Sequence, residues 1–188
     1  MENTLFDTAV KALREGRTLL YPTDTLWGLG CDATLPEAVE KLYALKGRDP
    51  GKAMLVLAGE YMLGTELPRE VADLLLRSAR PTTVVMPVEW LAVPVADNLP
   101  AADGTVGVRV PRMAFCQRML AALGHPIVST SANLSGEPSP TCYAEISPEL
   151  RSRVDCCLPD SAEFPHTQAQ ASRIVKVLPT GGVAVLRP

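Results

Sequence analysis

The chain has 188 residues, 47% of them apolar and only 5% aromatic, with a formal net charge of −3 and a pI near 5.4. That length suits one well-buried core and is short for two, so residues 1–188 are read as a single domain. A protein that grips nucleic acid over a broad face is usually basic; the acidic balance argues against that role but leaves room for a local cationic pocket.

Before the first helix there is no apolar run of the secretory kind, and no stretch approaches the roughly 18 apolar residues of a membrane span, so a membrane partner is not expected. The five cysteines (Cys31, Cys116, Cys142, Cys156 and Cys157) show no CxxC spacing. An odd count of this kind points to free thiols in a reducing cytoplasm rather than to a zinc site.

Phe6, Val10 and Leu13 recur at helical spacing, with Gly16 as the stop. Thr18 to Tyr21 reads as a short buried strand, and Thr23 to Gly30 as a loop. Pro36 opens a second helix, with Val39, Leu42 and Leu45 inward, ending at Gly47 and an Asp49-Pro50-Gly51 turn. Strands are predicted over Met54 to Ala58, Thr82 to Met86, Thr105 to Val110 and Pro126 to Ser129. Helices are predicted over Pro68 to Ser78 and Ala114 to Leu123. Pro87 to Asp103 is irregular, and Thr130 to Thr141 is a long polar loop. Ser147 with Pro148 caps a short helix. A terminal hairpin pairs Arg173 to Leu178 with Val183 to Arg187. This interleaving indicates an α/β fold: an open, twisted, mixed sheet with flanking helices and with polar loops at strand ends.

Three segments and two arginines offer chemistry. Tyr21 to Gly30 holds two hydroxyls and a carboxylate within three positions, and Gly28 and Gly30 permit close backbone approach. It reads equally as a turn whose Thr and Asp side chains cap their own backbone. Lys46 to Lys52 places three cations in seven residues, enough to hold a polyphosphate. It is not a Walker loop: its glycines are one residue too close, and Ala53 replaces the metal-binding hydroxyl. A solvated basic helix end is the other reading. Ser129 to Gly136 follows an apolar strand and concentrates hydroxyls where small side chains leave N–H groups open to an anion, although a plain polar loop fits too. Arg109, on an apolar strand, either pairs with a carboxylate or alternates outward to water; Arg187 poses the same choice. Trp27, Trp90 and the cysteines read as packing.

Taken together, YPTDTLWGLG at 21–30, KGRDPGK at 46–52, TVGVRVP at 105–111, STSANLSG at 129–136 and Ser172-Arg-Ile-Val resemble, in order, the YrdC-like family of threonylcarbamoyl-AMP synthases in its short form. The resemblance implies a YrdC-like sheet enclosing a concave cationic cleft. It also implies synthesis of threonylcarbamoyl-AMP and pyrophosphate from L-threonine, bicarbonate and ATP, for N6-threonylcarbamoyladenosine formation in tRNA. By the same resemblance Thr25, Arg109, Thr130 and Ser172 hold threonine. Arg48, Lys52, Thr105, Ala132 (through its backbone) and Arg187 hold the nucleotide, with Lys46, Ser131, Asn133 and Pro140 close by. No residue is assigned as nucleophile or general base. Magnesium is expected on the triphosphate without a dedicated protein site, Asp24 being a weak candidate. The partner implied is a downstream threonylcarbamoyl transferase, any direct tRNA contact being weak. The sequence departs from the family at Ala79-Arg80-Pro81, Ala53 and Arg173. A paralogue with altered chemistry and an RNA-binding module are the alternatives.

Overall fold

The computed structural model describes residues 4–48, 54–161, 164 and 170–188. In chain order the elements are α1 (Thr4–Arg14), β1 (Leu19–Tyr21), β2 (Gly28–Asp32), α2 (Pro36–Lys46), β3 (Leu55–Leu57), α3 (Arg69–Arg77) and β4 (Thr82–Pro87). There follow β5 (Thr105–Arg109), α4 (Ala114–Leu123), β6 (Ile127–Ser131), α5 (Pro148–Arg153), β7 (Cys156–Cys157), β8 (Arg173–Val177) and β9 (Val183–Arg187). The nine strands form one sheet in the order β7-β1-β2-β6-β3-β5-β4-β8-β9. The sheet is mixed: β1–β7, β3–β5 and β4–β8 are parallel, and the other neighbours are antiparallel.

Helix ends follow local chemistry. Pro36 sits in the first turn of α2, where its missing N–H is no loss. Gly47, at φ 57°, closes the same helix by donating to the carbonyls of Ala44 and Tyr43, the left-handed turn for which glycine is suited. Ser147 opens α5 without its side chain capping, contrary to expectation; its carbonyl instead accepts the Arg151 N–H.

Two loop boundaries also differ from the sequence reading. The segment 23–30 is loop only as far as Trp27, because Gly28–Asp32 pairs with β1 on one side and β6 on the other. Hydrogen bonding by two neighbours outweighs the poor strand propensity of Gly-Leu-Gly. For the same reason β6 runs on through Thr130 and Ser131, which pair with Leu29 and Gly28. The two-residue strand β7 gave no period to detect and is held by β1. The Asp49-Pro50-Gly51 turn lies outside the described residues.

Alternation along β4 and β5 divides the sheet. Val84, Met86, Val106 and Val108 are fully buried. Thr83, Val85, Thr105, Gly107 and Arg109 point the other way, into a cavity. Helices α1 and α2 pack on β2, and α3 packs on β4. Phe6 of α1 meets Phe115 of α4 edge-on, with centroids 6.4 Å apart. Among the described residues no helix is long and apolar enough to cross a membrane.

Candidate active site

The cavity is about 270 Å³ and lies over the middle of the sheet. Its floor is one row of the sheet: Ser129 pairs with Leu55, Leu55 with Gly107, and Gly107 with Val85. All four line the cavity. Two residues along β5 in one direction stands Arg109, and two residues in the other stands Thr105. Successive residues on one strand face are roughly 6.7 Å apart, so the two side chains are separated by about 13 Å along the strand. Three arginines (Arg48, Arg109 and Arg187) and no carboxylate are among the described residues lining the space.

At one end, Arg109 is 3% exposed. Its guanidinium forms a short ion pair with Asp24 Oδ1, while Asp24 Oδ2 accepts the backbone N–H of Arg112 at 3.1 Å. The outward-facing reading of Arg109 is therefore wrong. Both Asp24 oxygens are engaged within the protein. A pair this buried stands only when its remaining hydrogen-bonding capacity is used, and Arg109 has donors beyond the one given to Asp24.

Thr25 stands nearby with a fixed polarity. Thr23 Oγ1 donates to the Leu26 carbonyl at 2.7 Å and accepts from the Thr25 N–H at 3.1 Å. Its only proton being spent, the 3.0 Å contact between the two hydroxyls must have Thr25 as donor. Thr25 Oγ1 thus turns only lone pairs toward the cavity.

Across the same end, Ser172 Oγ lies 2.8 Å from Thr83 Oγ1. Arg187, reaching in from the outermost strand, donates Nε to the Ser172 carbonyl at 2.9 Å and Nη2 to its hydroxyl at 3.3 Å. Partial burial lowers the pKa of Arg187. Thr130 lines the cavity from β6.

At the opposite end, Thr105 donates its hydroxyl proton to Asp103 Oδ1 at 2.6 Å, and Lys176 holds the other carboxylate oxygen at 2.6 Å. These contacts, Lys176 first, draw the Asp103 pKa down to about 2. Thr105 therefore also faces the cavity as an acceptor. Ser131 and Arg48 complete this end.

Four predicted residues are not in the wall. Lys46 is buried and donates to the carbonyls of Ser131 at 2.6 Å and Asn133 at 2.7 Å, pinning the 129–136 segment to α2 from behind. Burial first, and then the Arg48 charge, lowers its pKa to about 8, against a small opposing pull from Glu137. The Ala132 N–H donates to the Trp27 carbonyl at 3.0 Å. Asn133 Nδ2 donates to the carbonyls of Leu134 and Glu137. Pro140 is buried and outside the lining, although its neighbour Ser139 lines the cavity. The N–H groups of residues 132 to 135 are all internally bonded, so the expected open anion nest is absent there. Lys52 lies outside the described residues. Conversely, Trp27, read as packing alone, lines the cavity and tilts against Tyr143 at 4.9 Å; Ser129 and Gly107, which belong to the singled-out segments but carry no individual role there, line it as well.

The family described as "Telomere recombination" (Sua5/YciO/YrdC) matches residues 11–188. A threonylcarbamoyl-AMP synthase of Chromohalobacter salexigens is 38% identical over 141 residues, covering 73% of this chain and 76% of that protein. One from Xanthomonas axonopodis pv. citri is 35% identical over 166 residues, covering 82% and 86%. This chain belongs to the Sua5/YciO/YrdC family. Among solved structures, Sua5 of P. abyssi complexed with L-threonine superposes with a TM-score of 0.83 at 26% identity, over 97% of this chain and 53% of that one. The chain thus spans about half the length of that Sua5. E. coli YciO, at 22% identity and TM-score 0.77, shares the fold. All five segments by which the sequence resembles the family contribute residues to the cavity.

Proposed function

We propose that this chain is an L-threonylcarbamoyladenylate synthase, a nucleotidyltransferase acting on L-threonine, bicarbonate and ATP. The observation that carries this is the spacing along β5, with Arg109 at one end of an uncharged floor and Thr105 with Arg48 at the other. An amino acid and a nucleotide fit end to end over such a floor. The P. abyssi Sua5 structure, a complex with L-threonine, supports the amino-acid end.

Arg109 takes the amino-acid carboxylate through the N–H groups not given to Asp24. Thr25, offering lone pairs, accepts a hydrogen bond from the amine. The amine captures the one-carbon unit of bicarbonate with loss of water, giving a carbamate. A carbamate oxygen attacks the α-phosphorus of ATP, and pyrophosphate leaves. Negative charge shifts onto phosphate oxygens, so the arginines already fixed in the wall lower the barrier without reorganising. Holding both reactants over one floor supplies much of the rest. Magnesium enters with the triphosphate as part of the substrate. The adenylate passes to a threonylcarbamoyl transferase acting on tRNA in the cytoplasm.

The test is ATP-dependent pyrophosphate release, with and without threonine and bicarbonate, together with the mass of the product. Release requiring all three supports the assignment. Release indifferent to threonine indicates a paralogue of altered chemistry, and no release indicates a binding module.

A further inference from the structure

Tyr21 is fully buried, yet its hydroxyl reaches the cavity floor. It belongs to β1, and its partner Ser129 belongs to β6, with β2 lying between them. The ring crosses β2 at Gly28 and Gly30. A Cβ on Gly30 would clash with the Val128 carbonyl oxygen and come 2.9 Å from Tyr21 Cε1, and one on Gly28 would come 3.2 Å from Ser129 Oγ and 3.4 Å from Tyr21 Cε1. Neither glycine has a positive φ. They are there for space, and the space is filled by a phenol bridging two strands that do not touch.

The bridge fixes a proton. Tyr21 donates to Ser129 Oγ at 2.8 Å. Burial raises the phenol pKa, so it remains a donor at any working pH. Ser129 accepts this bond and keeps its own proton, for which no acceptor stands among the described residues. The seryl O–H is left to donate into the cavity from a residue that is 4% exposed. In its row of the floor the other lining residues are Leu55, Gly107 and Val85, none with a polar side chain. Ser129 supplies the hydroxyl of this central row, between the Arg109 end and the Thr105 end.

We infer that Ser129, aimed by Tyr21, is the binding site for the one-carbon oxyanion, donating to an oxygen of bicarbonate and then of the carbamate formed from it. This rests on the reaction proposed above. Where that reaction joins the amino acid to the phosphate, the carbamate carbon lies between the two ends, over this row. A preset donor in an apolar floor orients such an oxygen better than water does. Tyr21 touches no substrate and acts as a positioning residue through Ser129.

Steady-state pyrophosphate release in carbonate-depleted buffer, titrated separately with bicarbonate, threonine and ATP, tests the inference on wild type, Ser129→Ala, Tyr21→Phe and the double variant. A hydrogen bond lost to a charged partner corresponds to roughly a 10- to 100-fold effect. The KM for bicarbonate should rise by that factor in Ser129→Ala and by less in Tyr21→Phe. The double variant should match Ser129→Ala, because Tyr21 works only through that serine. Threonine and ATP affinities measured by calorimetry should be unchanged, which also reports intact folding. Bicarbonate titration unchanged in both single variants, or a rise confined to the threonine or ATP KM, would overturn the inference while leaving the reaction standing. A wild type indifferent to bicarbonate would overturn both.

Discussion

Removing the charge of Asp24 while keeping its shape, as Asp24→Asn, isolates the buried ion pair. The side chains of Arg109 and Asp24 are 4% and 10% exposed, so water cannot replace a lost partner. Deleting one member of such a pair costs about 3–5 kcal/mol, because the other charge is left buried. Asparagine retains an acceptor for the Arg112 N–H, which puts the cost near the lower end, at about 3 kcal/mol. For a chain of this size each kcal/mol shifts the melting temperature by roughly 2–4 °C, so a fall of about 6–12 °C is expected. Arg109→Met should cost a similar amount. The double variant buries no unpaired charge and should lose much less than the sum, leaving a coupling of about 3 kcal/mol. Thermal unfolding with and without millimolar threonine separates the two roles. Threonine should raise the midpoint of wild type and of Asp24→Asn, since Arg109 keeps donors to spare, and should fail to raise that of either Arg109 variant. Additive losses in the cycle would refute the pair as the source of stability. A full threonine shift in Arg109→Met would refute the carboxylate assignment.

Lys46 carries a pH signature. Folded, it releases its proton near pH 8 rather than 10.5, so between those values unfolding takes up a proton and stability rises with pH. Against Lys46→Met, the wild type's relative stability in denaturant titrations should grow from pH 8 to 10 by at most about 3 kcal/mol, and a flat difference would show that the buried amine keeps its charge throughout this range as it does in the unfolded chain. Arg48→Ala should raise the ATP KM severalfold or more, leave threonine affinity unchanged in calorimetry and flatten the salt dependence of ATP use; unchanged ATP kinetics would return this helix end to simple solvation. Thr25→Val should weaken threonine binding by about 1–3 kcal/mol, since it removes the lone pairs facing the cavity, whereas Thr25→Ser should bind nearly as wild type; a loss in Thr25→Ser with none in Thr25→Val, read by calorimetry, would show that the methyl, not the oxygen, matters.

The elements legible in the sequence were those whose signals are local. Pro36 and Gly47 bracket α2, and Gly124 ends α4 with φ 79°. The terminal hairpin turns on Gly181 and Gly182, both at positive φ. What escaped is set by pairing across long sequence separations. Gly28 and Gly30 read as loop because glycine disfavours strands in isolation, and only β1 and β6 on either side make them sheet. The same blindness affected the site. The family resemblance could nominate Lys46, Ala132 and Asn133 for the nucleotide side, but it could not show that Lys46 donates to two loop carbonyls, or that the Ala132 N–H is taken by Trp27. Ser129 and Thr130 are neighbours in one polar run, and which of them reaches the middle of the floor is a matter of register.

Register also explains why three glycines outside any tight turn belong to the site. Gly107 pairs with Leu55 and Val85 in the central row, and a Cβ there would meet Leu55 Cβ at 3.2 Å and Thr83 Cγ2 at 3.3 Å. Such a methyl would stand on the floor between Arg109 and Thr105, where the two halves of the reaction must meet. On β2, Gly28 and Gly30 leave room for the Tyr21 ring. A strand pays for glycine in conformational entropy, typically about 0.5–1 kcal/mol per residue relative to alanine. Here that cost falls on the cavity side of β2 and β5, while the opposite side of β4 and β5 carries Val84, Met86, Val106 and Val108. The sheet is built as a core on one face and as a shallow trough on the other. The trough sets where each ligand group lies, because its rungs are spaced by the strand repeat itself rather than by loops.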